Sequence, residues 1–164
     1  MTTNSQKNPM PKWKKWLLGL GIPAGIIVIA LALSPFWADY EKPILRDQLP
    51  DPAQVFLQTH YGNSKTALAR KDVEWLEKEY EVILTDGIQI TFDRHGEWKE
   101  IKHKAGCVPM DIVPAPIQEY INENHPGLCV REISQDRREI EVELTNRLEL
   151  TFSKKNFLLI DWDD

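Results

Sequence analysis

The C-terminal end of the chain carries a local cluster of carboxylates, Asp161, Asp163 and Asp164. Carboxylate oxygens gathered near one strand end are ligands of the kind that Ca²⁺ takes in proteins, so the cluster is a candidate metal site. The alternative is a solvated chain end, in which the three side chains are hydrated and bind nothing. The sequence leaves both interpretations open.

Residue types that carry out catalysis are present, but without the spacing that catalysis needs. The four histidines never occur as HxH or HExxH, and His60 and His125 fall near equivalent helix ends. The serines lie in no GxSxG-like setting, and the sequence has no glycine-rich phosphate loop. We therefore expect a protein that is not an enzyme and that takes no cofactor.

Two cysteines, Cys107 and Cys129, stand outside any CxxC or other ligand-like spacing. In an oxidising compartment they are able to form one disulfide. The alternative is that both are unpaired small apolar residues. Their spacing does not decide between the two.

An internal repeat organises the chain. The stretch LPDPAQVFL at 49–57 returns 64 residues later as VPAPIQEYI at 113–121. Each copy has proline in the predicted first helical turn and apolar residues at i, i+3 and i+4, which predicts one amphipathic helix with a single buried stripe. Asp51 is the expected N-cap of the first helix.

After each helix the apolar period changes from about 3.6 to 2, which predicts half-buried strands. Asp86-Gly87, between two alternating runs, is a strong hairpin signal, and Asn146-Arg147 takes its place in the second copy. The later strands are expected at 98–101 and 157–160. The predicted fold is α+β, with two tandem repeats (49–104 and 105–164), each of one helix and about four antiparallel strands.

Strand alternation assigns each side chain to one of two sheet faces. The apolar face is expected to lie under the helices and comprises Val82, Leu84, Ile88, Ile90, Phe92, Val142, Leu144, Leu148, Leu150 and Phe152. The opposite face is polar and acidic, and it is the candidate binding surface. We assign to it Glu81, Gln89, Thr91, Asp93, Glu141, Glu143 and Glu149, together with Trp162 as the aromatic residue most expected to be exposed.

Residues 16–37 are predicted to be a transmembrane anchor or a signal segment, because the run from Trp16 to Leu33 carries no charge. The lysines of residues 1–15 should stay in the cytoplasm, which sends the linker 38–48 and the rest of the chain across the membrane. The protein is then either a single-pass inner-membrane protein with a periplasmic C-terminal domain, or a periplasmic protein cleaved after Ala30-Leu31-Ala32.

Charge argues against nucleic acid as a partner. Residues 1–38 hold four lysines and no acid, which leaves 16 basic against 25 acidic groups in the remainder. An acidic body with scattered basic residues repels phosphate backbones. The expected contacts are the membrane, through residues 16–37, and a protein or peptide of the bacterial cell envelope.

The motifs LP..AQ.FL..HY, EYEV.L.DG..I.FD..G.W.EI, VP..I..YI..N.PG and a terminal LELTF…FLLID.D resemble those of the PepSY-like, beta-lactamase-inhibitor-like family over residues 39–164. The resemblance implies export, a two-repeat architecture like that of beta-lactamase inhibitory protein, and a binding or inhibitory role without catalysis. This sequence departs from the family pattern at Arg147, Ser153 and Asn156, where a turn glycine or aspartate is expected.

These observations together predict a non-catalytic extracytoplasmic binding module. It would recognise or inhibit a protein or peptide through the solvent face of its antiparallel sheet. The alternative function is an envelope module that senses calcium or another small ligand.

Overall fold

The computed structural model describes residues 41–74 and 77–163. The predicted cytoplasmic N-terminus (1–15) and membrane segment (16–37) lie outside these residues, as does Asp164. Within the described part of the chain, no helix combines the length and the apolar character needed to cross a bilayer.

One antiparallel sheet of nine strands, joined in sequence order, forms the described part of the chain. Its strands are β1 (Lys42–Pro43), β2 (Thr66–Glu74), β3 (Glu77–Leu84), β4 (Ile88–Phe92), β5 (Trp98–His103), β6 (Val130–Gln135), β7 (Glu139–Leu144), β8 (Glu149–Ser153) and β9 (Leu159–Asp163). Helix α1 (Asp51–Tyr61) precedes β2 and helix α2 (Ala115–Asn124) precedes β6. The predicted α+β class is therefore confirmed.

Both helices pack on the same face of the sheet. Phe56 of α1 contacts Phe92 edge to face at 5.8 Å, and Tyr120 of α2 contacts Phe152 in the same way at 5.4 Å. Offset and edge-to-face ring pairs of this kind add to the free energy gained by burying apolar area. The buried core extends from β2 to β8 and includes the apolar face predicted from strand alternation, with Leu148 only partly buried.

Each helix is preceded by a 3₁₀ turn, Arg46–Gln48 or Met110–Ile112, whose carbonyl groups need hydrogen-bond partners. Gln54 Nε2 donates to the carbonyl of Asp47 within the first turn at 3.2 Å and to that of Leu49, just after it, at 2.8 Å. Gln118 Nε2 donates in the same way to the carbonyls of Met110 and Val113, both at 2.7 Å. The same side chain therefore fixes the entry to both helices. Pro50, not Asp51, is the N-cap of α1, and Asp51 begins the helix.

Two boundaries differ from the sequence expectations. Residues 42–48, within the predicted linker, form β1 and a 3₁₀ turn. The last strand begins at Leu159 instead of Phe157, because Phe157 adopts φ 57° within the preceding turn. Left-handed backbone of that kind does not continue a strand.

Candidate functional site

The solvent face of the sheet is built from residues that alternate with the core along every strand. The strand registers align one continuous row across eight strands. In order from β2 to β9, the row comprises Arg70, Glu81, Thr91, Glu100, Ser134, Glu141, Thr151 and Asp161. Cross-strand neighbours in such a row interact directly, so charge along it decides what the face is able to bind.

In the first half of the sheet, two carboxylates of this face, Glu79 and Glu81, have internal partners. Arg70 Nε donates to Glu81, Gln89 Nε2 donates to the same carboxylate, and Lys99 pairs with Glu79. Glu81 is only 8% exposed as a result. The expectation that Glu81 is available to a partner is therefore corrected, because its hydrogen-bonding capacity is used by its neighbours.

In the second half, only part of the acidic charge is neutralised. Arg131 Nη2 donates to both carboxylate oxygens of Glu143, at 2.6 and 2.8 Å, and Arg147 lies 3.8 Å away. These bonds hold the pKa of Glu143 below its usual range. Glu141 and Glu149 are exposed, and among the described residues neither has an ion-pair partner.

Three further residues predicted on this face, Gln89, Thr91 and Asp93, have two different placements. Gln89 and Thr91 are half-buried on the solvent face, as expected. Asp93 instead follows β4 and accepts the turn N–H groups of His95 and Glu97, at 2.7 and 3.0 Å. The prediction that Asp93 belongs to the strand face is therefore corrected, because its carboxylate closes the turn.

Trp162 is exposed, at 62%, but it lies on the other face. The register of β8 with β9 sets Trp162 opposite Leu150, a core residue on the helix side. Its assignment to the solvent face is wrong because a bulge at Ile160 changes the alternation of β9.

Asp161 and Asp163 do lie on the solvent face, opposite Thr151 and Glu149. Among the described residues, no three acids, histidines or cysteines are arranged to hold a metal ion. The predicted calcium cluster also requires Asp164, which lies outside those residues, so it stays a prediction.

A shallow hollow of about 230 Å³ lies where β5 meets β6, and sequence reasoning missed it. Five of its lining residues are acidic, and Lys99 is the basic one. Burial raises the pKa of Glu100 there, and the charge of nearby Glu132 raises it further. Only the β5–β6 register brings Glu100 beside Ser134, and no turn signal in the sequence reveals that pairing.

Cys107 and Cys129 are joined in a disulfide, with Cα atoms 5.8 Å apart. Of the two alternatives that the sequence left open, the structure has the paired one. The bond ties the segment before α2 to the start of β6, where Val108 N–H also donates to the carbonyl of Val130 at 2.8 Å.

A family model described as "Putative beta-lactamase-inhibitor-like, PepSY-like" matches residues 78–160, about half of the chain. No curated protein sequence matches the chain.

Several solved structures are similar to it, including the following three. One, described as a putative calcium-regulated periplasmic protein from Bacteroides thetaiotaomicron, is 44% identical with a TM-score of 0.73, over 76% of this chain and 97% of its own. A putative periplasmic protein from Bacteroides vulgatus is 38% identical with a TM-score of 0.74, over 77% and 99%. Another from the same species, described as of unknown function, is 28% identical with a TM-score of 0.71, over 77% and 100%.

Proposed function

The chain belongs to the PepSY-like, beta-lactamase-inhibitor-like family, and from this premise we propose that it is a non-catalytic periplasmic module that binds a protein or peptide through the solvent face of its sheet. Its structural relatives are described as periplasmic proteins, which supports an envelope location. The observation that carries the proposal is the uneven charge of this face. Glu141 and Glu149 are exposed carboxylates without an ion-pair partner among the described residues, whereas Glu79 and Glu81 are paired.

Exposed carboxylates that have no ion-pair partner among the described residues suit recognition of a basic surface. Charge complementarity steers association and selects partners, and it does so without the deep apolar cavity that a small substrate needs. The hollow at the β5–β6 junction adds to this surface, since its lining is mostly acidic. The expected partner therefore presents lysine and arginine side chains.

The experiment is capture of crosslinked partners from envelope extract by the full-length protein and by two charge-reversed variants. Glu141→Lys/Glu149→Lys changes the solvent face, and Glu119→Lys/Glu123→Lys makes the same charge change on exposed positions of α2. We expect the first variant to lose the captured partner and the second to keep it. Equal capture by all three proteins would refute binding through this face.

The N-terminal region supports a further part of the proposal. Residues 16–37 either anchor the module in the inner membrane or direct its export before cleavage. Intact-mass measurement of the protein from the membrane fraction distinguishes the two, because cleavage removes about 32 residues.

We also infer that the two halves are tandem copies of one pattern. The matching roles of Gln54 and Gln118 support this, as does the succession of one helix and four strands in each half. Exchange of the two helical segments, 49–61 and 113–125, tests it. Copies of one pattern should accept the exchange with retained folding, and loss of folding in both directions would argue for unrelated segments.

Calcium sensing is the second candidate function, favoured by the description of the 44% identical relative as a putative calcium-regulated protein. Thermal unfolding with Ca²⁺, and with Mg²⁺ as the matched control, tests it. A ligand at 100 times its Kd adds about 2.7 kcal/mol to the stability of the folded state. An unchanged melting temperature in millimolar Ca²⁺ would exclude it.

A further inference from the structure

The two edges of the sheet are closed in different ways. At one edge, β1 is two residues long and contains Pro43, which has no N–H to offer a further strand. At the other edge, β9 is five residues long and pairs with β8 on one side only among the described strands. Large apolar side chains accompany it, since Leu158, Ile160 and Trp162 are 64, 56 and 62% exposed.

The position of β9 in its half of the sheet repeats that of β5. The pairs that β4 makes with β5 have equivalents between β8 and β9, and each set has a bulge at the threonine–phenylalanine step. The equivalent pairs are Thr91–Glu100 with Thr151–Asp161, Ile90–Ile101 with Leu150–Trp162, and Gln89–Lys102 with Glu149–Asp163. Trp162 is therefore the counterpart of Ile101.

The two strands differ in their outer neighbours. β6 pairs with β5 through Glu132, Ile133 and Ser134, and Ile133 lies beside Ile101, which is fully buried. The same pairing places Glu132 against Lys102, with which it forms an ion pair. Among the described residues, no strand covers β9 in this way. The pairing of β6 with β5 therefore shows how an additional strand would pair with β9.

We propose that β9 accepts an extended segment of a partner protein in the position that β6 takes beside β5. The segment has an apolar residue opposite Trp162 and a lysine or arginine opposite Asp163, because Asp163 stands where β5 has Lys102. Opposite Asp161 it has a basic or hydroxyl residue, as Ser134 lies opposite Glu100. The proposal rests on the binding role proposed above and names the partner's chemistry: an alternating basic and apolar strand.

Charge also discriminates this partner from a second copy of the chain. Two copies paired through β9 would bring Asp161 and Asp163 of one close to the same acids of the other, and like charges across a strand pair are destabilising. The backbone N–H of Trp162 donates to Asp161 Oδ1 at 3.0 Å, a bond that an incoming strand carbonyl would replace. Acidic residues on an edge strand oppose self-pairing while leaving the edge open to a basic strand.

The test uses the full-length protein in mild detergent and two fluorescent peptides that differ at one position. One has the β6 sequence Val-Arg-Glu-Ile-Ser-Gln, and the other has lysine in place of the glutamate. Fluorescence anisotropy up to millimolar peptide gives the affinities, and a photoreactive group at the isoleucine maps the contact by mass spectrometry. We expect the lysine peptide to bind about two- to fivefold tighter, the range for one cross-strand charge pair, and to crosslink within β9.

Three variants complete the test. Asp163→Lys should reverse the preference, so that the glutamate peptide binds tighter, and Trp162→Ala should weaken both peptides. Val55→Ala, which removes an equally exposed apolar side chain from α1, should leave both affinities unchanged. Failure of both peptides to bind, equal affinities for the two, or self-association through β9 that Ile160→Pro abolishes would each overturn the proposal. None of these results affects the test of solvent-face binding, which relies on Glu141 and Glu149.

Discussion

The two halves of the sheet, residues 49–104 and 105–164, bury similar cores but differ in how their polar residues are used. In the first half, Arg70 and Lys99 neutralise Glu81 and Glu79. In the second half, Arg131 neutralises Glu143, while Glu141 and Glu149 are exposed and have no ion-pair partner among the described residues. Glu79 and Glu81 of the first half are therefore neutralised by their neighbours, whereas Glu141 and Glu149 of the second half leave acidic charge exposed to solvent.

The segments leading into the two helices are also held differently. In the first half, β1 pairs with β2, and Ile44 N–H donates to the carbonyl of Ala69 at 2.9 Å. In the second half, the disulfide between Cys107 and Cys129 accompanies a hydrogen bond from Val108 N–H to the carbonyl of Val130 at 2.8 Å. A covalent bond replaces a short strand, which makes stability in the second half depend on the redox state of the compartment.

Removal of the disulfide should have the largest effect on this comparison. Cys107→Ser/Cys129→Ser frees a loop whose ends are 22 residues apart, and chain-entropy arguments predict a loss of about 3 kcal/mol in the free energy of unfolding. Urea denaturation without reductant measures it. The reduced wild-type protein is the control and should match the variant, and a variant as stable as the oxidised protein would show that β6 is held by its hydrogen bonds alone.

The substitution Gly96→Ala should cause the second-largest loss in the free energy of unfolding. Gly96 has φ 88°, and an added Cβ would lie 2.9 Å from the backbone nitrogen of Ala53, at the start of α1. Gly87→Ala is the matched control, because Gly87 has φ 90° and open space around it. We expect urea denaturation to show a loss of about 2 kcal/mol for Gly96→Ala and about 1 kcal/mol for Gly87→Ala. The difference is the cost of the close contact between the added Cβ at position 96 and the backbone of Ala53. Equal losses would mean that α1 moves away freely.

In both halves, the sequence predicts the local elements but misses features that depend on contacts between strands or on a bulge. Apolar period and turn chemistry predicted both helices and the Asp86-Gly87 hairpin, since these depend on neighbours in the chain. The burial of Glu81 depends on Arg70 from another strand, and alternation alone does not reveal that pairing. Trp162 was misplaced because one bulge residue, Ile160, changes the face of every residue after it.

Opposite pH effects are expected from two carboxylates of the solvent face. The folded-state pKa of Glu143 is lowered by Arg131, so its stabilisation is present above the unfolded pKa of about 4.3 and is lost as pH falls through the folded pKa. The pKa of Glu100 is raised by burial and by Glu132, so its ionised form reduces stability at neutral pH, and this effect disappears on acidification.

At pH 7, Glu143→Gln should therefore lose about 1 kcal/mol, the range for a hydrogen bond to a charged group, and Glu100→Gln should gain a few tenths of a kcal/mol. Urea denaturation between pH 3 and pH 8 measures both, and the two variants should converge on the wild type at the acidic end. Curves parallel to the wild type at all pH values would show that neither carboxylate is coupled to folding.

The smallest expected change in stability comes from a substitution in the turn between β7 and β8, which corresponds to the turn between β3 and β4. Gly87 and Arg147 occupy the same left-handed conformation, with φ 90° and 78°, so the second half keeps the turn of the first without its glycine. A non-glycine side chain in this conformation costs about 1 kcal/mol or more, so replacing it with glycine relieves that strain. Part of the relief is offset because glycine has greater conformational entropy in the unfolded chain. Arg147→Gly should therefore stabilise the protein by about 0.5 kcal/mol in urea denaturation. The guanidinium of Arg147 lies 3.8 Å from Glu143, and the Arg147 side chain is 73% exposed, so loss of this ion pair reduces the gain in stability only slightly.

Arg147→Lys, which keeps the charge and the strained backbone, is the control and should leave stability unchanged. A loss of stability in the glycine variant alone would mean that the guanidinium of Arg147, together with Arg131, helps to hold Glu143.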